Sequence, residues 1–193
     1  MLRLSSKRLC LLIAVLAFAA VALPQVAQAS DDQAAWAALK SGAIVLFRHA
    51  NAPGGGDPPG MRLDDCATQR NLDDAGRAQA RRIGAMFRER TIEVGRVLTS
   101  RWCRAAETAK LAFPARAIPE PAFDSFFADR SRGPAQTEAA RRILLAWAGP
   151  GALVVTTHQL TILALTDLAT ASGEGIVLQR QSETLVIVGR ISP

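Results

Sequence analysis

The chain holds only two histidines, and each stands at the end of an apolar run. His49 closes Ala43-Ile44-Val45-Leu46-Phe47-Arg48-His49, and His158 closes Ala152-Leu153-Val154-Val155-Thr156-Thr157-His158. Runs of this length and character read as buried strands, so both imidazoles are expected at strand C-termini, where open α/β sheets gather ligands. Arg48 directly precedes the first histidine. A second arginine-bearing turn, Ser100-Arg101-Trp102-Cys103-Arg104-Ala105, follows a third apolar run, Val97-Leu98-Thr99. Imidazoles among fixed guanidinium groups suit a phosphate pocket, because guanidinium donates paired, charge-assisted hydrogen bonds to phosphoryl oxygens.

Strand and helix signals alternate along the chain, which predicts an α/β layered domain. Asp31 to Leu39 reads as a short opening helix. After the first strand, Asn51 to Gly60 is too rich in Gly and Pro for a regular element and reads as a loop beside His49, either a substrate-facing flap or plain surface. Its three adjacent glycines lack the spacing and the following helix of a phosphate-binding loop. A helix starts near Asp73 or Asp74, with Leu72, Gly76, Ala80, Ile83 and Phe87 on one face and Arg77, Arg81 and Arg88 on the other. Further helices are expected over Trp102 to Phe113, Gln136 to Ala148 and His158 to Ala169, and a last strand over Thr184 to Val188.

Residues 1–29 have the layout of a secretory signal: Arg3, Lys7 and Arg8, an apolar stretch from Leu9 to Leu23, then Ala27-Gln28-Ala29. The expectation is a cleaved signal peptide, one domain over 30–193, a periplasmic or secreted location and no stable membrane insertion after cleavage, the stretch being short of a spanning helix. Without the leader, 20 basic residues face 17 acidic ones, a net +3. With no basic run carrying interleaved aromatics, nucleic acid is not an expected partner. Cys66 and Cys103 remain after cleavage, and a disulfide between them is allowed in an oxidising compartment. No histidine or cysteine pair has the close spacing of a zinc site, so no metal is expected.

Arg48-His49-Ala50, Gln69-Arg70-Asn71-Leu72 before Gly76-Arg77-Ala78-Gln79-Ala80, Ser100 to Ala105 with Glu107-Thr108-Ala109, and Thr157-His158 form an ordered set. This set resembles the histidine phosphatase superfamily, with the phosphoglycerate-mutase-like fold, from about Ala43 to Ile162. The resemblance implies a three-layer αβα sandwich around a mostly parallel sheet. It implies that His49 is the nucleophile that becomes phosphohistidine, with Arg48, Arg104 and His158 holding the phosphoryl oxygens and no cofactor. Chemistry agrees: a neutral imidazole attacks phosphorus unaided, and fixed guanidinium groups stabilise the charge on the group in transfer.

Arg70, Asn71 and Ser100 are the expected substrate contacts; Ser100 or Arg101 could share the charge-stabilising work of Arg104, though the family pattern points to Arg104. Ala50 and Gln159 stand where members usually have glycine. For the family's carboxylic acid, the expectation is Asp124, whose neighbours Phe123, Phe126 and Phe127 would favour the protonated form; Glu120 and Asp129 compete. The function expected is an exported, metal-independent phosphatase acting on a phosphorylated small molecule or an envelope sugar phosphate. The alternatives are a phosphomutase, or a phosphate-binding or interaction protein with the same fold and little turnover.

Overall fold

The computed structural model describes residues 25–114 and 116–193. The elements are α1 (Gln25–Lys40), β1 (Ile44–Arg48), α2 (Asp74–Glu89), β2 (Val94–Thr99), α3 (Cys103–Ala112), β3 (Ala117–Pro119), α4 (Gly133–Leu145), β4 (Ala152–Thr157), α5 (Gln159–Thr166), β5 (Gly175–Gln181) and β6 (Thr184–Ile191). The leader expected over 1–29 lies outside the described residues except for 25–29, the start of α1. Among the described residues no helix is long and apolar enough to cross a membrane.

The six strands form one sheet in the order β3-β2-β4-β1-β5-β6. The first four are mutually parallel, and β5 and β6 add an antiparallel edge. Strand alternation then builds two cores. Val45, Phe47, Val97 and Val154 face Trp36 and Leu39 of α1, Ile83 and Phe87 of α2, and Ala109 of α3. Ile44, Leu46, Leu98 and Val155 face Ala140 and Leu144 of α4 and Ile162 of α5. Because successive side chains point to opposite faces, a strand apolar at every position must be covered on both. That is the expected three-layer αβα sandwich.

Two strands escape the sequence reading. β3 is a three-residue edge strand ending in a proline, and β5 changes halfway from four buried residues to the exposed Gln179-Arg180-Gln181. The turn between β5 and β6 uses Ser182 with a φ of 55°, in place of the usual Asn-Gly signal.

Sheet topology positions the site. The chain runs from β1 through α2 to β2 and on through α3 to β3, and α4 then returns on the other face to place β4 between β2 and β1. Connections diverge at the C-terminal ends of β1 and β4, which is where such sheets form a crevice. Arg48 pairs with Thr157 and Thr99 with Thr156. The ladder continues one step further, with the N–H groups of His49 and Ser100 donating to the carbonyls of Thr157 and Thr156, both at 2.9 Å. His49, Ser100 and His158 thereby emerge side by side.

Candidate active site

A cavity of about 370 Å³ opens at these strand ends, lined by Arg48, His49, Asp57, Arg70, Arg104 and His158, with Gly54 to Gly56 on one side and Ser125, Phe127, Gln159 and Leu160 on the other. The imidazole centroids lie 5.5 Å apart with planes at 65°. Both rings are buried, as is Arg104.

Hydrogen bonding fixes the state of His49. Its Nδ1 lies 2.8 Å from the carbonyl oxygen of Ala50, which only accepts, so Nδ1 carries the proton. Nε2 accepts from Nε of Arg104 at 3.2 Å. Burial lowers the His49 pKa to about 3, as do Arg104, Arg70 and Arg48; the bond to Ala50 opposes them. At neutral pH the ring is therefore an uncharged base with its free lone pair on Nε2, facing the guanidinium cluster. Burial and Arg104 hold the His158 pKa well below the usual range too.

The guanidinium groups crowd one another. Burial, followed by repulsion from Arg104, lowers the pKa of both Arg48 and Arg70. Arg48 donates to the Thr170 carbonyl at 2.7 Å, and its Nε is buried without a protein partner. A buried, unpartnered guanidinium N–H is costly unless a ligand satisfies it. An anion in the cavity would relieve the repulsion.

Several motif residues hold this framework. Thr108 accepts from the Ala50 N–H at 3.0 Å and donates to the Arg104 carbonyl at 2.7 Å, which ties the end of β1 to the first turn of α3. Gln69 accepts from the Cys103 N–H at 2.9 Å. Cys66 and Cys103 are joined in a disulfide, with Cα atoms 5.7 Å apart, so the loop carrying Arg70 is bonded to the helix carrying Arg104. A Cβ on Gly76 would stand 2.0 Å from the Asn51 carbonyl oxygen, and only glycine lets α2 approach the chain leaving His49 so closely. Asp73 caps that helix and accepts from Asn51 Nδ2 at 2.9 Å.

The other expected residues divide. Arg70 lines the cavity and also grips the flap, donating to the Gly56 carbonyl at 2.9 Å and to the Ala52 carbonyl. Asn71 turns away and donates to the Cys66 and Gln69 carbonyls. Ser100 lies behind His158, its Oγ 2.8 Å from Nε2 of that ring. Asp124, the expected proton donor, is not among the residues lining the cavity. Its carboxylate is fully buried outside the cavity lining and accepts from Arg101 Nε at 2.7 Å, Arg101 Nη2 at 2.5 Å, the Arg101 N–H at 2.8 Å and Ser100 Oγ at 3.3 Å. Those donors, three of them from Arg101, tie the carboxylate to the end of β2. Glu120 and Asp129 each cap a short 3-10 turn.

Among the residues lining the cavity, Asp57 is the single carboxylate, and the sequence reading missed it. Burial would raise its pKa, but Arg104, with the Arg70 N–H and the Trp102 indole, holds it below the usual carboxylate value.

The sequence profile of the histidine phosphatase superfamily (branch 1) matches residues 44–149, more than half of the chain. The chain belongs to the histidine phosphatase superfamily. No curated protein sequence matches it. The structure of the protein histidine phosphatase SixA complexed with tungstate superposes with a TM-score of 0.60 at 16% identity, covering 78% of this chain and 96% of that one. Phosphoserine phosphatase from Entamoeba histolytica, in complex with 3-phosphoglyceric acid, gives a TM-score of 0.56 at 10% identity, over 78% and 97%. At these identities the two structures share the histidine phosphatase fold with this chain.

Proposed function

We propose that the protein is an exported, metal-independent phosphatase that hydrolyses phosphomonoesters through a phosphohistidine on His49. The observation that carries this reading is the neutral His49 Nε2 held 3.2 Å from the Arg104 guanidinium in a cavity lined by two further arginines. In the first step Nε2 forms a bond to phosphorus, the bond from phosphorus to the ester oxygen breaks, and the departing alkoxide takes its proton from solvent water. In the second step water attacks the phosphohistidine, inorganic phosphate leaves, and the neutral imidazole is restored. Arg48, Arg104 and His158 hold the phosphoryl oxygens in both steps, and Arg70 contacts the substrate. The phosphatases sharing this fold support the reaction class. Among the described residues no cluster of three or more His, Cys, Asp or Glu stands close enough to hold a metal ion. The residue pattern at 1–29 supports export to the periplasm or medium, and an envelope sugar phosphate is the substrate class that fits that location.

One observation favours a second substrate class. The carboxylate in the cavity is ionised and engaged by Arg104, so a phosphoramidate, whose nitrogen leaving group takes up a proton readily, suits the site as well as an ester does. The similarity to protein histidine phosphatase SixA lies in the same direction. Turnover of sugar phosphates, an aryl phosphate and phosphohistidine by the mature domain, with chelator present, tests the proposal. Binding of inorganic phosphate without turnover of any of them would replace the phosphatase reading by that of a phosphate-binding protein.

A further inference from the structure

The chain leaving His49 passes through Gly54, Gly56 and Gly60, all at positive φ, and returns one acidic side chain to the cavity. Asp57 Oδ1 lies 2.6 Å from Arg104 Nη1 and Oδ2 lies 3.2 Å from Nη2, a two-pronged ion pair. Trp102 Nε1 donates to Oδ2 at 3.0 Å and the Arg70 N–H to Oδ1 at 3.2 Å, so the carboxylate is itself fixed. The remaining edge of the same guanidinium, its Nε, faces Nε2 of His49.

We infer that Asp57 is a positioning residue: by holding the outer prongs of Arg104, it aims the Nε–H of that arginine at the phosphoryl oxygens beside the His49 nucleophile. The role rests on the proposed phosphatase reading and adds a residue to it. A guanidinium on a flexible stem loses rotational freedom when one edge is clamped, and its other edge then meets the group in transfer without reorganising. Asp57 also removes one unit of charge from a pocket holding Arg48, Arg70 and Arg104, leaving a net +2 opposite a phosphoryl dianion. A carboxylate in this place has two other roles open to it, as proton donor to the leaving group or as an anion that competes with phosphate for Arg104. Each predicts a different experimental result.

The test uses Asp57→Ala, Asp57→Asn, Arg104→Ala and the Asp57→Ala/Arg104→Ala double variant. Turnover is measured on 4-nitrophenyl phosphate and an alkyl phosphate, and inorganic phosphate binding by calorimetry. Positioning predicts that Asp57→Ala lowers kcat/KM about 100-fold on both esters alike, the scale of a misplaced catalytic group. It predicts phosphate binding about tenfold weaker, with part of both losses recovered by Asp57→Asn, which keeps a carbonyl oxygen for Arg104. In the Arg104→Ala background the Asp57 change should add nothing, since both remove one interaction. A loss confined to the alkyl ester would make Asp57 the proton donor. Tighter phosphate binding with undiminished kcat would make it a competing anion, and losses that multiply in the double variant would separate it from Arg104; each overturns the inference. Should Asp57→Ala fail to fold, Trp102→Phe removes one of the donors fixing Asp57 and should cost several-fold in kcat/KM, again only when Arg104 is present. If the wild type turns over no phosphorylated substrate, the phosphatase reading fails, and the phosphate-binding cycle alone still decides the link between Asp57 and Arg104.

Discussion

Ser100 Oγ lies 2.8 Å from Nε2 of His158 and 3.3 Å from Oδ1 of Asp124, so one hydroxyl links the ring to the carboxylate. The Trp102 N–H already donates to the same oxygen. With its proton given to Asp124, the hydroxyl fixes the orientation of the His158 ring through Nε2. Ser100→Ala should lower kcat about tenfold by releasing the ring from that orientation, with little change in KM. Steady-state kinetics on 4-nitrophenyl phosphate reads this out.

His49→Ala should lower turnover by about 10⁴-fold or more, the cost of losing a nucleophile that works with its neighbours as a unit. Rapid quenching of the wild type with labelled substrate should trap an acid-labile, base-stable phosphoprotein that is absent from the variant.

Two histidines give two sets of ring carbon–proton resonances, and the His49 pKa of about 3 predicts that its set does not move between pH 8 and pH 5 in the free protein. His158, with its pKa also lowered, should behave alike. Unfolding releases both rings to take up protons near pH 6.5, so the unfolded state binds more protons below that pH and stability falls with acidification. From about pH 6.5 down toward the lowered native values, each histidine should cost about 1.4 kcal/mol per pH unit. Denaturant titrations at pH 7 and pH 5 measure the difference.

Asp124→Asn should destabilise by about 1–3 kcal/mol, the range for a buried hydrogen-bonded group that loses partners. Arg101→Met should be worse, about 3 kcal/mol or more, since it leaves the Asp124 carboxylate buried with fewer donors. Thermal melts compare the two. Any loss of activity in Asp124→Asn should fall equally on alkyl and nitrophenyl esters, in contrast to the removal of a proton donor.

Thiol titration of unfolded, unreduced protein should find Cys66 and Cys103 unreactive. Replacing both by serine should cost about 2–4 kcal/mol, given the size of the loop they close. Calorimetric unfolding of the two forms is the direct comparison.

The strand-end histidines are legible because each follows an uninterrupted apolar run, and the amphipathic pattern of α2 is legible because Gly76, Ala80, Ile83 and Phe87 recur at helical spacing. Asp57 is invisible for the opposite reason. It sits among glycines and prolines with no periodicity, and its partners Arg104 and Trp102 reach it only through the fold. Asp124 misleads in a related way. Phe123 and Phe126 are buried as its sequence suggests, yet the groups that bond its carboxylate, Arg101 and Ser100, come from the end of another strand. Local sequence reports burial around a carboxyl group better than it reports which cation will meet it.

The insertion of β4 between β1 and β2 has a consequence for assembly. A chain that has emerged only as far as β3 cannot complete the centre of the sheet, because β1 and β2 are neighbours of β4 and not of each other. Closing that gap requires contacts between segments far apart in sequence, the slow kind in folding. His158 arrives with the strand that fills the gap, so the reactive centre cannot exist until β4 is in place. On the export proposed above, a precursor kept unfolded for passage through a membrane would lack the assembled centre until it folded at its destination.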